Sequence, residues 1–348
     1  MEKANWTTRT GQWFEERAHV SQVVEDLLHV DIPQNAQTFY LGGLALFFFT
    51  VQAITGILLS LYYRGSPTEA YDSILRIMNE VRFGWLIRSI HSWSANLMIA
   101  SVVLHMLRVF VQAAFKRSRE ATWLVGALLL VLTLGFGFTG YLLPWDQRAF
   151  WATTVGTEIA GSVPLIGPQA LEFLRGGAEV TGTTLTRFQG IHMLVLPLSL
   201  AALLVVHLFL VHLHGLAVPP GTPQAQATQK MPFWPNYILD ELIAWYIGLA
   251  VLVILASLFP AGLEAKANPL STPAHIKPEW YFLFLYQSLK LAPRTLVILG
   301  SFVGLSVVFL IPFIDRSPSR ELKQRLGWLI AVVVIMTAVA GLTVWGAM

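Results

Sequence analysis

Residues 88–113 read RSIHSWSANLMIASVVLHMLRVFVQA, an apolar run with His91 and His105 inside it and an arginine three residues outside each, Arg88 and Arg108. A helix needs about 20 apolar residues to cross a bilayer, and an ionisable side chain inside such a run is costly unless something holds it. Comparable runs lie at 37–62, 121–144, 189–214, 237–261, 296–315 and 327–347. Hydrophobic residues make up 55% of the chain and charged ones only 12%, about half the charge of a soluble domain. That excludes a water-soluble globule and a disordered chain. The pattern predicts an all-α polytopic membrane protein with seven transmembrane helices, spans one to seven in chain order. There is no cysteine, so the chain holds no disulfide, no cysteine-ligated iron–sulfur cluster and no thioether-linked cofactor. The net charge of +3 fits cations placed between membrane spans rather than a nucleic-acid surface.

Lys116, Arg117 and Arg119 follow span two, and Arg316, Arg320, Lys323 and Arg325 precede span seven. Short cationic loops mark the cytoplasmic side. The expected topology therefore has the N-terminus inside and the long connections at 63–87, 145–188 and 262–295 outside, in a bacterial inner membrane. Residues 1–36 form an inner-side segment in which Glu15, Glu16, Glu25 and Asp26 interrupt any signal-peptide core. Val20, Val23, Val24, Leu27 and Leu28 have helical spacing there, suited to an interfacial helix or to one packed on a partner. Residues 217–236, AVPPGTPQAQATQKMPFWPN, read as a linker between a four-helix bundle at 37–216 and a three-helix part at 237–348.

Span four carries a second histidine pair, His192 and His207. Separations of 14 residues on span two and 15 on span four are about 3.9 and 4.2 helical turns, or about 21 Å of rise. Each pair falls on roughly one face, as two sites stacked across a membrane require. With spans two and four as neighbours, His91 faces His192 nearer the outside and His105 faces His207 nearer the inside. Each facing pair can grip one haem iron axially, leaving no open position for oxygen, which suits electron transfer. The alternative is that the four histidines hydrogen-bond between helices and bind nothing. Gly42 and Gly56 on span one, and Gly126 and Gly140 on span three, repeat the spacing of 14. They offer clearance for a flat macrocycle, although small residues alone also serve tight helix packing. Arg88 and Arg108 sit one turn from an axial histidine, where each can pair with a haem propionate or snorkel to headgroups.

These residues, with GYLLPWDQRAFW at 140–151 and Pro278, Glu279, Trp280 and Tyr281 in sequence, resemble cytochrome b of the cytochrome bc and bf complexes over nearly the whole chain. FGWLIRSIHSWSANLM at 83–98, the spacing of 15 on span four and LTRF at 185–188 resemble the chloroplast type, whose four-helix and three-helix parts are separate polypeptides. Two departures stand out. Leu41 lies near the place where chloroplast-type relatives use a cysteine to hold an extra haem covalently. His212, five residues after His207, resembles the mitochondrial-type histidine of the inner quinone site.

The resemblance implies the cytochrome b subunit of a quinol:cytochrome c (or equivalent acceptor) oxidoreductase. Such a subunit carries two noncovalent b-type haems, oxidises quinol at the outer face, reduces quinone at the inner face and contributes to proton translocation. It implies a Rieske-type iron–sulfur protein and a c-type cytochrome as partners, and a homodimer of the complex. Glu279, positioned by Pro278 in an apolar loop, is then the base that takes a quinol proton, with Tyr281 as a hydrogen-bonding neighbour and Trp280 beside them. Trp145 and Asp146 form another wall of the outer pocket, unless Asp146 caps the following segment. At the inner pocket His212 is opposed by Asp240 or Glu241, a choice that the register leaves open. Two rivals remain: a di-haem membrane anchor linking a dehydrogenase to quinone, and a haem-free solute transporter with functional intramembrane histidines.

Overall fold

A computed structural model of the chain describes residues 11–13, 15–17, 19, 30–34, 40–274 and 276–348. The apolar residues of the N-terminal segment, Val20 to Leu28, lie outside the described residues. Seven helices long and apolar enough to cross a membrane run over Leu41–Ser60, Gly84–Val111, Glu120–Tyr141, Gly182–His214, Phe233–Leu258, Arg294–Ile314 and Leu322–Ala347. They are the seven expected spans with shifted ends. Span four starts well before the expected residue 189 because Thr181 opens it with a capping box, its own amide donating to the Thr184 hydroxyl at 3.0 Å. Such a cap satisfies amides that a polar first turn leaves free outside lipid.

Span four also contains a π turn at Ile191–Val195. Pro197 has no amide to continue the α-helical ladder, and the Leu196 amide bonds to the Ile191 carbonyl instead, a five-residue step. A π turn hides one surplus residue within a helix. The interval of 15 from His192 to His207 therefore turns much like the 14 residues between His91 and His105.

Spans one and two pack along their lengths, and so do spans three and four, whereas spans two and four have few close backbone approaches. The bundle is thus two helix pairs with a slot between them. Phe47, Phe48, Met98, Leu200 and Leu252 fill its middle, and Phe110, Phe115, Trp123 and Ile311 pack one end. Much of the outward surface is apolar, including Ile57, Val205, Phe209 and Val333, as lipid-facing helices require.

The connections at the end near His91 mesh with one another. The Tyr71 hydroxyl donates to the Glu264 carbonyl at 2.8 Å, the Gln147 amide to the Ala265 carbonyl at 2.9 Å, and the Ala267 amide to the Trp145 carbonyl at 3.1 Å. At the opposite end Asp315 sits between Lys116 Nζ at 3.0 Å and Arg325 Nε at 2.9 Å. Arg325 also donates to the Phe110 carbonyl at 3.0 Å and lies over the Phe110 and Phe115 rings. Within the stretch read as a linker, Lys230–Pro232 forms a short antiparallel ladder with Asp31–Pro33, Ile32 opposite Met231, and span five begins at Phe233.

Candidate functional site

The four intramembrane histidines fall at two levels, His91 within electrostatic reach of His192 and His105 of His207. All four are half-buried. Each stands opposite one glycine of the repeat. A methyl group at Gly42 would lie 3.2 Å from His105 Cε1, at Gly56 3.4 Å from His91 Cε1, at Gly126 3.3 Å from His207 Cε1 and at Gly140 2.5 Å from His192 Cε1. The glycines expected to give a macrocycle clearance lie against the imidazole rings.

At the level of His91 and His192, the outer one in the expected topology, the rings are also held by hydroxyls. Thr55 Oγ1 lies 2.8 Å from His91 Nδ1, and Thr139 Oγ1 lies 3.1 Å from His192 Nδ1. Each hydroxyl donates its only hydrogen to the carbonyl four residues back, Val51 at 2.7 Å and Gly135 at 2.8 Å. It therefore accepts from Nδ1–H, and the Nε2 lone pair is left for a metal. Gln52 braces the backbone beside His91, donating to its carbonyl at 2.5 Å and to Ser94 Oγ at 2.7 Å. Arg88 donates to the Ala261 and Gly262 carbonyls at 2.6 and 2.8 Å. Arg108 lies in electrostatic reach of Tyr237.

A cavity of about 380 Å³ opens at the outer end, lined among others by Tyr141, Arg148, Glu264, Pro278, Glu279 and Trp280. Pro278 keeps the chain extended before Glu279, and the helix Trp280–Leu291 starts directly after it. Trp280 Nε1 donates to Asn96 Oδ1 at 2.7 Å, tying this helix to span two. Burial raises the Glu279 carboxyl above the ordinary carboxylate range, and the positive charge of Arg148 opposes that shift. Arg148 in turn donates to Glu264 Oε1 at 2.6 Å. Tyr281 lies outside the cavity lining, its ring turned onto Gly137 of span three. Burial, and then the Glu279 charge, push its phenol up.

Trp145 and Asp146 stand behind the cavity rather than in its lining. Trp145 packs edge-on against Phe150. Asp146 caps the helix Gln147–Gly161, accepting from the Ala149 amide at 2.8 Å, and also accepts from the Glu264 amide at 3.2 Å. At the inner end Tyr40 donates to Asp240 Oδ2 at 3.1 Å, and burial and that bond raise the Tyr40 phenol to about 12. The Glu241 carboxylate lies against Gly43. His212 is exposed on the last turn of span four, and among the described residues no hydrogen bond joins it to either acid.

Thr55, Thr139, Arg148 and Glu264 were not singled out from the sequence. For the threonines a signal exists: Thr55 and Thr139 directly precede Gly56 and Gly140, whereas Leu41 and Val125 precede Gly42 and Gly126.

The family model described as cytochrome b/b6/petB matches residues 27–215, and that described as cytochrome b(C-terminal)/b6/petD matches residues 266–348. The chain belongs to the cytochrome b/b6 family. It is 44% identical over 332 residues to the cytochrome bc complex cytochrome b subunit of Chlorobaculum thiosulfatiphilum, spanning 93% of this chain and 77% of that one. With cytochrome b6 of Synechococcus elongatus it shares 43% identity over 208 residues, 60% of this chain but 97% of the relative. Among solved structures, a chain of a hyperthermophilic respiratory Complex III superposes with a TM-score of 0.87 at 35% identity, covering 97% of this chain and 91% of that one. Members of the cytochrome b/b6 family bind two b-type haems and interact with quinone. The histidine levels fit such groups: each supplies two imidazoles across the slot, with glycines that a Cβ would close.

Proposed function

We propose that the chain is the cytochrome b subunit of a quinol:cytochrome c (or equivalent acceptor) oxidoreductase, with His91 and His192 holding the outer b-type haem and His105 and His207 the inner one. The observation that carries this reading is the seating of four imidazoles on four glycines at two depths, with the Glu279 cavity at the outer end. The bound haems supply one-electron redox chemistry at both depths. Arg88 and Arg108, one turn from a histidine at the outer and inner levels respectively, are placed to meet propionates.

A quinol headgroup in the outer cavity gives up a proton to Glu279, whose enclosed carboxyl binds one more readily than an exposed acid would. Arg148 sets how readily that proton leaves again. Pro278 and Trp280 shape the cavity, Tyr281 backs it, and Trp145 and Asp146 fix its rear wall. At the inner face Asp240, through Tyr40, and Glu241, beside Gly43, are the proton-donating side chains for quinone. His212 is retained as a contact there only for a ligand that reaches the exposed end of span four.

A chain without cysteine leaves the first electron acceptor to partners: a Rieske-type iron–sulfur protein and a c-type cytochrome, in a homodimer of the complex. The protein is a multi-pass membrane protein. The ends bearing Lys116, Arg119, Arg320 and Arg325 meet on one face, where Arg119 donates to the His214 carbonyl and Arg320 to the Gln112 and Val218 carbonyls. That supports an N-terminus inside a bacterial inner membrane. Within the chain, 37–216 is the di-haem bundle and 237–348 the part bearing the Glu279 loop, joined through 217–236.

Pyridine haemochrome analysis of the purified complex should give two b haems per chain. Glu279→Gln should lower quinol oxidation by about 100-fold, the lower range for loss of a positioned proton acceptor, with haem content unchanged. Fewer than two haems, or undiminished turnover in the variant, would overturn the assignment.

A further inference from the structure

The two histidine levels differ in one respect that haem ligation alone does not require. Both outer rings have a threonine hydroxyl at Nδ1, Thr55 at 2.8 Å and Thr139 at 3.1 Å. At the inner level, among the described residues, His105 Nδ1 and His207 Nδ1 are enclosed and have no side-chain hydrogen-bond partner; His207 lies near the Thr122 carbonyl as His192 lies near the Phe136 carbonyl, so that contact is common to both levels and the hydroxyls are what differ. The difference is written in the sequence one residue before each glycine, threonine at 55 and 139 against Leu41 and Val125.

We infer that Thr55 and Thr139 are tuning residues that lower the reduction potential of the outer haem relative to the inner one. The inference rests on the di-haem reading above. Its chemistry is the following. Each hydroxyl spends its hydrogen on the carbonyl four residues back, so toward the histidine it acts as an acceptor. A hydrogen bond from Nδ1–H shifts electron density into the ring, makes Nε2 a stronger donor and favours the ferric over the ferrous iron. Two such hydroxyls would act through the ligands of an outer haem, and among the described residues none through those of an inner one. A haem held by His91 and His192 would then have the lower potential of the two. The hydroxyls also fix each ring's tautomer and rotation before the iron is bound. Thr55 is the stronger of the two, because its bond is shorter and Gln52 braces the same turn of span two.

Potentiometric titration of the assembled, haem-loaded complex tests this, with the two b-band midpoints as readout. Thr55→Val removes the hydroxyl at nearly constant shape. It should raise the lower midpoint by roughly tenfold in equilibrium constant, ~59 mV for one electron, and leave the upper one in place. Thr139→Val should act in the same direction, while Thr55→Ser, which keeps the hydroxyl, should restore the lower midpoint. The converse change, Val125→Thr, offers His207 the acceptor that it lacks and should pull the upper midpoint down. A lower midpoint unmoved in both valine variants, or both midpoints moving together, overturns the proposal. If a valine variant loses haem, the Val125→Thr titration decides: an unmoved upper midpoint overturns the proposal, and a lowered one supports it. An unsubstituted complex with fewer than two b haems would overturn the di-haem reading instead, which the haemochrome assay separates from failure of the tuning.

Discussion

The outer and inner ends of the same seven spans are joined by different means. At the outer end, connections are stitched by backbone carbonyls and amides around an open cavity, and the ion pair at its rim, Arg148 with Glu264, is half in solvent. At the inner end the Asp315 carboxylate is shut away from solvent with Arg325 and nearly so with Lys116, and aromatic rings close over the guanidinium. Backbone bonds hold a loop without filling the space beside it, so the outer end keeps room for a substrate. A buried charge must be fully surrounded, so the structure closes tightly around Asp315, while Asp240 and Glu241 at the same end are only half-buried, against Tyr40 and Gly43. The outer end thus keeps an open cavity beside its joined loops, and the inner end carries in addition a closed ion cluster that holds the two parts of the chain together.

The largest expected effect breaks the inner end. Arg325→Leu leaves the Asp315 charge enclosed with one partner, and such losses cost about 3–5 kcal/mol. Thermal unfolding of the complex should drop sharply, whereas Arg148→Leu at the exposed outer pair should cost no more than about 1 kcal/mol. Equal losses would abolish the contrast. Next come the glycines. Gly140→Ala puts a methyl 2.5 Å from His192 Cε1, but Gly56→Ala leaves 3.4 Å to His91 Cε1. The first should lose one b haem per chain by haemochrome assay and the second should keep both; identical haem content in the two variants would count against the seating.

Much of this was legible in the sequence because its determinants are local. Span length is a property of a run of side chains, and a period of 14 fixes a helix face without knowledge of any partner. His212 enters through resemblance to a known pattern and not through helical spacing. Five residues advance a helix by about 500°, roughly 140° from the face of His207, so nearness in sequence does not place it toward the same pocket. The π turn at Ile191–Val195 was hidden because its cause, Pro197, reads as an ordinary residue in an apolar run. Thr55 and Thr139 were passed over because a hydroxyl bonded to its own helix is commonplace. Only the imidazole supplied by another span gives them a role.

Smaller effects sharpen the outer side. Asp146→Ala removes the cap on Gln147–Gly161 and the acceptor for the Glu264 amide. About 1 kcal/mol of stability should go with the cap, and the KM for quinol should rise more than kcat falls; an unchanged KM would detach Asp146 from the cavity. The subtlest effect is on pH. Glu279 acts as a base only when deprotonated, and burial holds its carboxyl above the usual range while Arg148 pulls it down. Quinol oxidation should therefore fall as pH falls through that raised value. Arg148→Leu removes the opposing charge, so the acid limb should move to higher pH with the alkaline plateau unchanged, and Arg148→Lys should hold it near its original place. A limb that stays put in Arg148→Leu would rule out this coupling.

The short ladder between Asp31–Pro33 and Lys230–Pro232 makes the covalent thread between the two parts redundant. A protease site introduced among residues 220–228 would sever the backbone upstream of that ladder, yet its two strands would then belong to different fragments and clasp them together. The ion cluster at Asp315 and the stitched outer connections would do the same. One polypeptide or two is then a matter of how the architecture is encoded, and a nicked preparation should still migrate as one coloured particle.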